Sequence, residues 1–385
     1  MNALHPFALA AVFLILANPV FSAETPPTRE EVDAAMGLQS DGDLVRGQRD
    51  TLGFVVTDDQ ADDVVTTAVR LEGESIQPLD GRIVGGVCPH DDHLYAGRVY
   101  VQLTEMISAP RVLLIGVFHA ARLWDLEDRV VFDEFEAWHG PWGPVPVDPL
   151  RAQLINELDA ESFVVDNAMH SREHSLEAIV PFLQFTDHDV SIVPLLVPYM
   201  SWERIDELTS EIAEALSHIM KANDWRLGRD LAIVVSSDAV HYGDDFDHTP
   251  FGTDAPAYDR AVARDSQLAG DYLAGELDPS NLQKFLANLV DENDVRRYRI
   301  PWCGRFSIPF GLELLRKLSL ANEATTPTGT FLRYGTSLSE AELPVTAATR
   351  AAGLGYTAPS NLHHWVGYAA VAYTLPPIQT VSSKQ

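Results

Sequence analysis

Histidine, cysteine and carboxylate residues gather next to several predicted strands and helices of this sequence. They occupy five short segments, at 88–93, 118–119, 166–174, 236–241 and 301–305. Imidazole and thiolate groups together suit iron, copper or zinc better than magnesium or calcium. The five segments therefore predict a transition-metal site, whereas each histidine taken alone is explained as well by a hydrogen-bonded structural role.

No known catalytic or metal-binding motif decides between a metal site and structural histidines. The sequence contains no HExxH, EF-hand, Walker A or GxSxG motif. His170 and His174 are four residues apart, so they could share one face of a helix. Because helix capping or solvent exposure explains this pair equally well, the spacing is only a weak metal signal.

The elements that must position these residues are strands alternating with helices. Strands are predicted at 82–87, 111–117, 191–197, 231–236, 330–335 and 367–375. Helices are predicted at 29–36, 175–185, 202–222, 256–274, 281–290, 309–320 and 340–350. This order is typical of an α/β fold with a central mixed, largely parallel sheet that is flanked by helices. Ligands of such sheets bind at the carboxyl ends of the strands, where three of the five polar segments lie.

The chain is divided by composition into a leader, an extension, one domain and a tail. Residues 1–23 lack Lys, Arg, Asp and Glu and contain the apolar run FALAAVFLILA, which predicts a signal peptide and export to the periplasm or the extracellular space. A polar, acidic extension is predicted at 24–80, one domain at 81–378 and a tail at 379–385. No later apolar run is long enough to span a bilayer, so we expect no stable membrane insertion once the leader is removed.

Charge and cysteine content restrict the class of protein further. The 385 residues include 27 Lys and Arg against 56 Asp and Glu, a net charge of −29 that would repel nucleic acids. The partner is therefore expected to be a small molecule or a peptide, which the sequence does not identify. Only two cysteines are present, Cys88 and Cys303. They form either one disulfide, as in many exported proteins, or at least one metal ligand.

The five segments, taken in order, resemble motifs of the Memo family, which includes the AmmeMemoRadiSam system protein B members. The matching stretches are VCPHDDHLYAG at 87–97, GVFHA at 116–120, EHSLEAIVP at 173–181, SSDAVHYG at 236–243 and CGRFSI at 303–308. The resemblance extends from about residue 82 to residue 374. It implies the fold of the class III extradiol dioxygenases.

The resemblance also implies a metal site. Carried over residue by residue, the ligands are His90, His119 and Cys303, with iron or copper favoured as the cofactor and zinc as the alternative. Asp238, His241, His174 and Glu173 would lie in or near the same pocket. There His241 or His174 would move a proton or bind substrate, since imidazole titrates near neutral pH, and Asp238 would orient a ligand histidine.

Several positions depart from the family pattern. Asp91 and Asp92 replace an Ala-Gly pair, and Phe118, Ala120 and Ile179 stand where polar residues are frequent. The pocket therefore differs from that of a typical member, and catechol cleavage is not the default expectation.

Three functions compete at this point. The first is a mononuclear, metal-dependent oxidoreductase of the dioxygenase type, and the second is a non-catalytic scaffold that binds a metal or a ligand on the same fold. The third is a zinc hydrolase that uses His241 or Glu173 as a base. Arg305 either pairs with a buried carboxylate or binds an anionic group of the substrate bidentately. Arg333 is expected to be structural.

Overall fold

The computed structural model describes residues 44–76, 78–351, 353–357 and 360–377. The predicted signal peptide, the predicted helix at 29–36 and the predicted tail lie outside these residues. Among the described helices, none is both long enough and apolar enough to cross a membrane.

The strands of the described residues are numbered in chain order. They are β1 (Val45–Arg46), β2 (Arg82–Cys88), β3 (Arg111–Val117), β4 (Val130–Phe132), β5 (Ala137–Trp138), β6 (Val145–Pro146), β7 (Phe163–Val165), β8 (Ser191–Val197), β9 (Ala232–Ser236), β10 (Asp238–Gly243), β11 (Gly275–Glu276), β12 (Val290–Asp291), β13 (Asp294–Tyr298), β14 (Thr328–Thr336) and β15 (His364–Leu375).

The α-helices of the same residues are numbered likewise. They are α1 (Asp58–Glu72), α2 (His93–Thr104), α3 (Leu150–Glu157), α4 (Asn167–Ser171), α5 (Val180–Thr186), α6 (Trp202–Ala222), α7 (Ala255–Leu273), α8 (Pro279–Leu289), α9 (Ser307–Glu323) and α10 (Ala347–Arg350). Short 3₁₀ helices lie at His119–Leu123 and Cys303–Arg305, and both begin inside the segments that the sequence singled out.

One large mixed sheet forms the centre of the fold. Its strand order within the described residues is β11-β14-β15-β2-β9-β3-β8-β4-β7, and β10 pairs with β15. The central strands β2, β9, β3 and β8 are parallel, while β15 is antiparallel to β2 and β4 is antiparallel to β8. The mixed α/β architecture that the sequence predicts is therefore confirmed.

Helices flank this sheet because its central strands are apolar along their whole length. The β3 run RVLLIGV and the β8 run SIVPLLV are buried except at their first residues, as expected for parallel strands covered by helices. Helix α2 packs on β2, β14 and β15, and α9 packs on β3, β8 and β9. Helices α1 and α6 pack in turn on α2 and α9. The sheet therefore provides a rigid base for the loops at its edge.

The segment expected to be an extension contributes to the same core. Helix α1 begins with a capping box in which Thr57 and Gln60 each bond the backbone of the other. Its side chains Ala61, Val64 and Ala68 are fully buried in the core that also contains the central strands. The described part of this segment, 44–76, is thus packed against the domain that we expected to begin at residue 81.

Two predicted helices are shorter than expected because each contains a proline. Residues 175–179 form turns and α5 begins only at Val180, since Pro181 has no N–H to bond back to residue 177. The helix predicted at 340–350 is reduced to α10, with Pro344 before it. Conversely, α1, α2 and β10 form where no helix or strand was predicted.

Candidate functional site

The candidate site lies at the carboxyl ends of three parallel strands. Strands β2 and β3 both pair with β9 in parallel, so the residues after Cys88, Val117 and Ser236 reach the same edge of the sheet. His90 is two residues beyond β2, and His119 is two residues beyond β3. The topology therefore brings together side chains that are distant in the sequence.

Three predicted ligands, His90, His119 and Cys303, meet at this edge. Each offers one nitrogen or sulfur atom, and these atoms all lie within 4.8 Å of one another. His119 Nε2 is 3.3 Å from Cys303 Sγ, and the rings of His90 and His119 have centroids 5.3 Å apart. We call these three residues the His–His–Cys cluster.

Hydrogen bonds fix the orientation of His90. Its Nδ1 is 2.8 Å from Ser236 Oγ, and that hydroxyl donates its own proton to the carbonyl of Ser175. Nδ1 is therefore the donor, and the lone pair of the neutral ring lies on Nε2. Nε2 is buried and has no hydrogen-bond partner among the described residues, although Asp238 Oδ2 lies 3.2 Å away in an orientation that forms no hydrogen bond. Burial, together with His119 and His174, lowers the pKa of His90 well below its ordinary value.

A buried carboxylate orients His119. Glu173 Oε1 accepts from His119 Nδ1 at 2.8 Å, and Oε2 accepts from the His119 backbone N–H at 2.7 Å. Burial opposes the charge of Glu173, but His119, the charge of His174 and the Ser175 N–H outweigh it and lower the pKa of Glu173. Burial likewise opposes charge on His119, yet Glu173 raises the pKa of that ring. Carboxylate–histidine pairs of this kind commonly support metal ligands.

Both chain neighbours of Cys303 form hydrogen bonds that fix the position of its turn. The Gly304 N–H donates to Ser237 Oγ at 2.9 Å, and a Cβ on Gly304 would overlap that hydroxyl, so only glycine fits here. On the other side, Trp302 Nε1 donates to Asp265 Oδ1 at 2.5 Å. The thiol is therefore positioned by a tight backbone contact and by a buried tryptophan.

A second group of donor atoms adjoins the cluster. Asp238, His241 and Cys303 also offer atoms within 4.8 Å of one another, and His241 Nε2 is 3.6 Å from Cys303 Sγ. Burial opposes charge on His241, but Cys303 raises its pKa. Burial and the charge of Asp91 raise the pKa of Asp238 well above its ordinary value, while Asp238 accepts from the His90 N–H at 2.9 Å.

His174 completes the ring of imidazoles around the site. Its ring centroid is 5.6 Å from that of His90 and 5.0 Å from that of His119. Its Nδ1 is 2.6 Å from Asp50 Oδ2. Burial opposes charge on His174, but this carboxylate raises its pKa. All seven predicted site residues therefore lie in one place.

Comparison with known proteins agrees with the motifs. The family described as Memo-like protein matches residues 64–353, about three quarters of the chain.

The chain belongs to this family.

Individual relatives give the same result at lower coverage. A MEMO1 family protein of Pyrococcus furiosus is 30% identical over 178 residues, which are 44% of this chain and 56% of the relative. One from Pyrobaculum aerophilum is 31% identical over 168 residues, 43% of this chain and 55% of the relative. One from Thermotoga petrophila is 30% identical over 217 residues, 53% and 70% respectively. The chain thus spans little more than half the length of the first two relatives.

The departures from the family motifs have local structural roles in this Memo-like protein. Asp92 caps α2 by accepting from the Leu94 N–H at 2.9 Å, and Asp91 accepts from the Tyr368 hydroxyl at 2.7 Å. Phe118 is buried. The added charges and the lost polar groups therefore change the walls of the pocket and leave the His–His–Cys cluster intact.

The cluster opens into a cavity of about 820 Å³. Its remaining wall includes Asp50, Leu52, Phe54, Phe246, Tyr298, Arg305 and Tyr356. This volume is large enough for a small organic molecule beside the cluster.

His170 and His174 do not lie on one helix, although their spacing would allow it. Helix α4 ends at Ser171, so His170 and His174 do not share a helix face. His170 is buried away from the cavity, with Nε2 3.1 Å from the Val131 carbonyl and its ring against Trp138.

Both cysteines are free thiols in this Memo-like protein. Cys88 is completely buried beneath the site, and Cys303 belongs to the His–His–Cys cluster. Burial, followed by the charge of Asp238, raises the pKa of Cys88 well above its ordinary value. The predicted disulfide between the two cysteines is therefore not formed in this structure.

Sequence reasoning missed Asp50 and the segment that carries it. Arg46 is buried and binds Glu177 at 2.5 Å, and the Asp50 N–H donates to Glu177 Oε1 at 2.7 Å. These contacts fasten the segment 44–56 across the site, so that Asp50 reaches His174. No motif marks Asp50, because its partner is more than a hundred residues away.

Proposed function

We propose that this Memo-like protein binds one transition-metal ion through His90 Nε2, His119 Nε2 and Cys303 Sγ and acts as an oxidoreductase on a small molecule. The observation that carries the proposal is the meeting of these three donor atoms, within 4.8 Å of one another, at the wall of a large cavity. Iron and copper are the favoured ions, and zinc is the alternative, because the donors combine imidazole with thiolate.

The residues present fit such an ion. His90 Nε2 is buried and carries a lone pair without a hydrogen-bond partner among the described residues, which is costly unless a ligand is bound. His119 is held by Glu173 so that Nε2 is turned toward Cys303. A bound ion would supply Lewis acidity and one-electron chemistry.

The remaining polar residues suit proton movement and orientation. His241 and His174 lie on the cavity wall, and their carboxylate and thiol neighbours favour the protonated ring. Both can give a proton to a molecule in the cavity near neutral pH. Asp238 fixes the His90 backbone and faces its ring, while Glu173 fixes the tautomer of His119.

Metal analysis tests the proposal. The chain is purified without oxygen, and its iron, copper and zinc contents are measured together with oxygen uptake in the presence of catechols. We expect about one ion per chain, and we expect the double variant His90→Ala/Cys303→Ala to lose it because two of three ligands are removed. Stoichiometric metal in that double variant would refute the ligand assignment.

Two matched controls separate ligand loss from general damage. Cys88→Ala removes a buried thiol that belongs to none of the candidate metal groups. His363→Ala removes an exposed imidazole that pairs with Asp244. Both should retain the metal. Full metal binding without any turnover would instead favour the non-catalytic scaffold.

A further inference from the structure

Charge is unevenly distributed around the cavity. Asp50, Asp91, Asp92 and Asp238 all contribute to its wall. Arg305 is the one arginine or lysine among the described lining residues. This single permanent cation therefore shares the wall with four aspartates and four histidines.

The guanidinium of Arg305 has unused hydrogen-bonding capacity. Nη1 donates to the Trp302 carbonyl at 2.5 Å, and the plane stacks on Tyr298, with Cζ 3.6 Å from the ring centroid. Nε is buried and has no acceptor in the described parts of the chain, so it is closed to the cavity. Nη2 forms no hydrogen bond with a described residue, and the side chain lines the cavity. Arg305 also forms no ion pair with any described carboxylate, so the structure does not support the alternative in which it neutralises a buried acid.

Other arginines with a buried, unbonded Nε differ on this point. Arg82 pairs with Glu323 at 2.5 Å, Arg111 with Asp148 at 3.1 Å, and Arg333 is bonded to acidic side chains. In each case the protein itself supplies the anion. Among these four arginines, only Arg305 lacks an ion pair with a described carboxylate and lines the cavity of the His–His–Cys cluster.

We propose that Arg305 binds the carboxylate of the substrate, so that the protein acts on small organic acids. This inference rests on the proposed function, because it assigns the substrate class to the same cavity. A carboxylate matches the planar donor edge of a guanidinium. We assign a carboxylate as the anion, and phosphate is the alternative that the experiment below distinguishes.

Arg305 lies near the His–His–Cys cluster along the chain. It follows Cys303 by two residues, so their Cα atoms are at most about 7 Å apart, and both residues line the same cavity. A small aromatic acid such as benzoate is therefore a suitable first probe of the subsite.

A pair of probes that differ only in the carboxylate tests this directly. Binding of 3,4-dihydroxybenzoate and of catechol to the metal-loaded protein is measured by calorimetry. We expect 3,4-dihydroxybenzoate to bind at least about tenfold more tightly, as is typical of a charged hydrogen bond. In Arg305→Gln this ratio should fall to about one, while Arg305→Lys should retain part of it.

The controls distinguish failure of this inference from failure of the metal proposal. Arg296→Gln removes an exposed arginine that pairs with Asp125 and Glu127 outside the cavity, and should leave the ratio unchanged. Metal content is measured for every variant and should stay the same. Binding of benzoate to metal-free protein, weakened in Arg305→Gln, would support the subsite even if no metal binds.

Three results would overturn the inference. These are equal binding of the two probes to the unmodified protein, a preference that survives Arg305→Gln, and the absence of carboxylate binding in both the metal-loaded and the metal-free protein. Phenyl phosphate is tested in parallel. If it binds more tightly than benzoate, the subsite recognises phosphate and the assignment to carboxylates is wrong.

Discussion

Two buried polar clusters of this Memo-like protein differ in whether their polar atoms have hydrogen-bond partners within the described residues. Around Arg46, the guanidinium donates to Glu177 and to the carbonyl groups of His170 and Glu173. At the cavity, His90 Nε2 and the Nε of Arg305 have no hydrogen-bond partners among the described residues. A satisfied network stabilises one conformation, whereas unsatisfied groups at a cavity indicate a ligand.

The largest effect on stability is expected from a substitution in the Arg46 cluster, whose polar groups are hydrogen-bonded. Arg46→Ala would leave Glu177 buried without its ion-pair partner. We expect the free energy of unfolding, measured with urea, to fall by about 3–5 kcal/mol. The exposed pair of Arg296 is the control, and Arg296→Ala should leave the free energy of unfolding nearly unchanged, because solvent screens an exposed ion pair. If the free energy of unfolding fell equally in the two variants, the buried Arg46 cluster would contribute no more to stability than an exposed ion pair.

The second prediction concerns the pH dependence of stability at Asp265, a buried carboxylate that contacts the neighbours of Cys303 and His241. It accepts from Trp302, Tyr334 and the Val240 N–H, and burial raises its pKa from 3.8 to about 6. The native state therefore binds this proton more tightly than the unfolded chain does. The contribution of Asp265 to stability is present below pH 4 and is lost as the pH rises through 6, by up to about 3 kcal/mol.

Asp265→Asn checks this sign, because the amide does not ionise. The free energies of unfolding of both proteins are measured at pH 4 and pH 7. The unmodified protein should lose stability relative to the variant over this range. A difference between the two that does not change with pH would contradict the assignment.

The smallest expected effect lies at the support of the candidate ligand His119. Glu173→Gln keeps the size of the side chain but removes the charge that orients the ring. Metal affinity, measured by competition with a chelator, should fall by about 10–100-fold without loss of stoichiometry. Glu340→Gln is a matched control, since this buried carboxylate pairs with Arg333. Equal metal affinities in the two variants would show that Glu173 has no supporting role.

Sequence patterns predicted the centre of the fold well. The apolar runs of β3 and β8 gave the observed bounds, because buried parallel strands are continuous and short. Helix α2 was not predicted, although Asp92 is its N-cap residue. Strand β10 was missed because its partner β15 lies more than a hundred residues away.

The candidate site was predictable only in part, for a similar reason. The motifs named the residues of the His–His–Cys cluster, and the order of the strands explains why they meet. Asp50 and Arg46 carry no local signal, since their roles depend on contacts with the turn at 173–177. Likewise, the unused capacity of Arg305 becomes visible only when its neighbours in space are known.

The proposed site requires the imidazoles of His90 and His119 and the thiolate of Cys303 to bind the same ion. X-ray absorption at the edge of the bound metal measures the atoms around it in solution. We predict one sulfur at about 2.3 Å and nitrogen neighbours at about 2.0–2.1 Å, with the sulfur signal lost in Cys303→Ser. A metal with no sulfur neighbour, or a sulfur signal that persists in Cys303→Ser, would contradict the account.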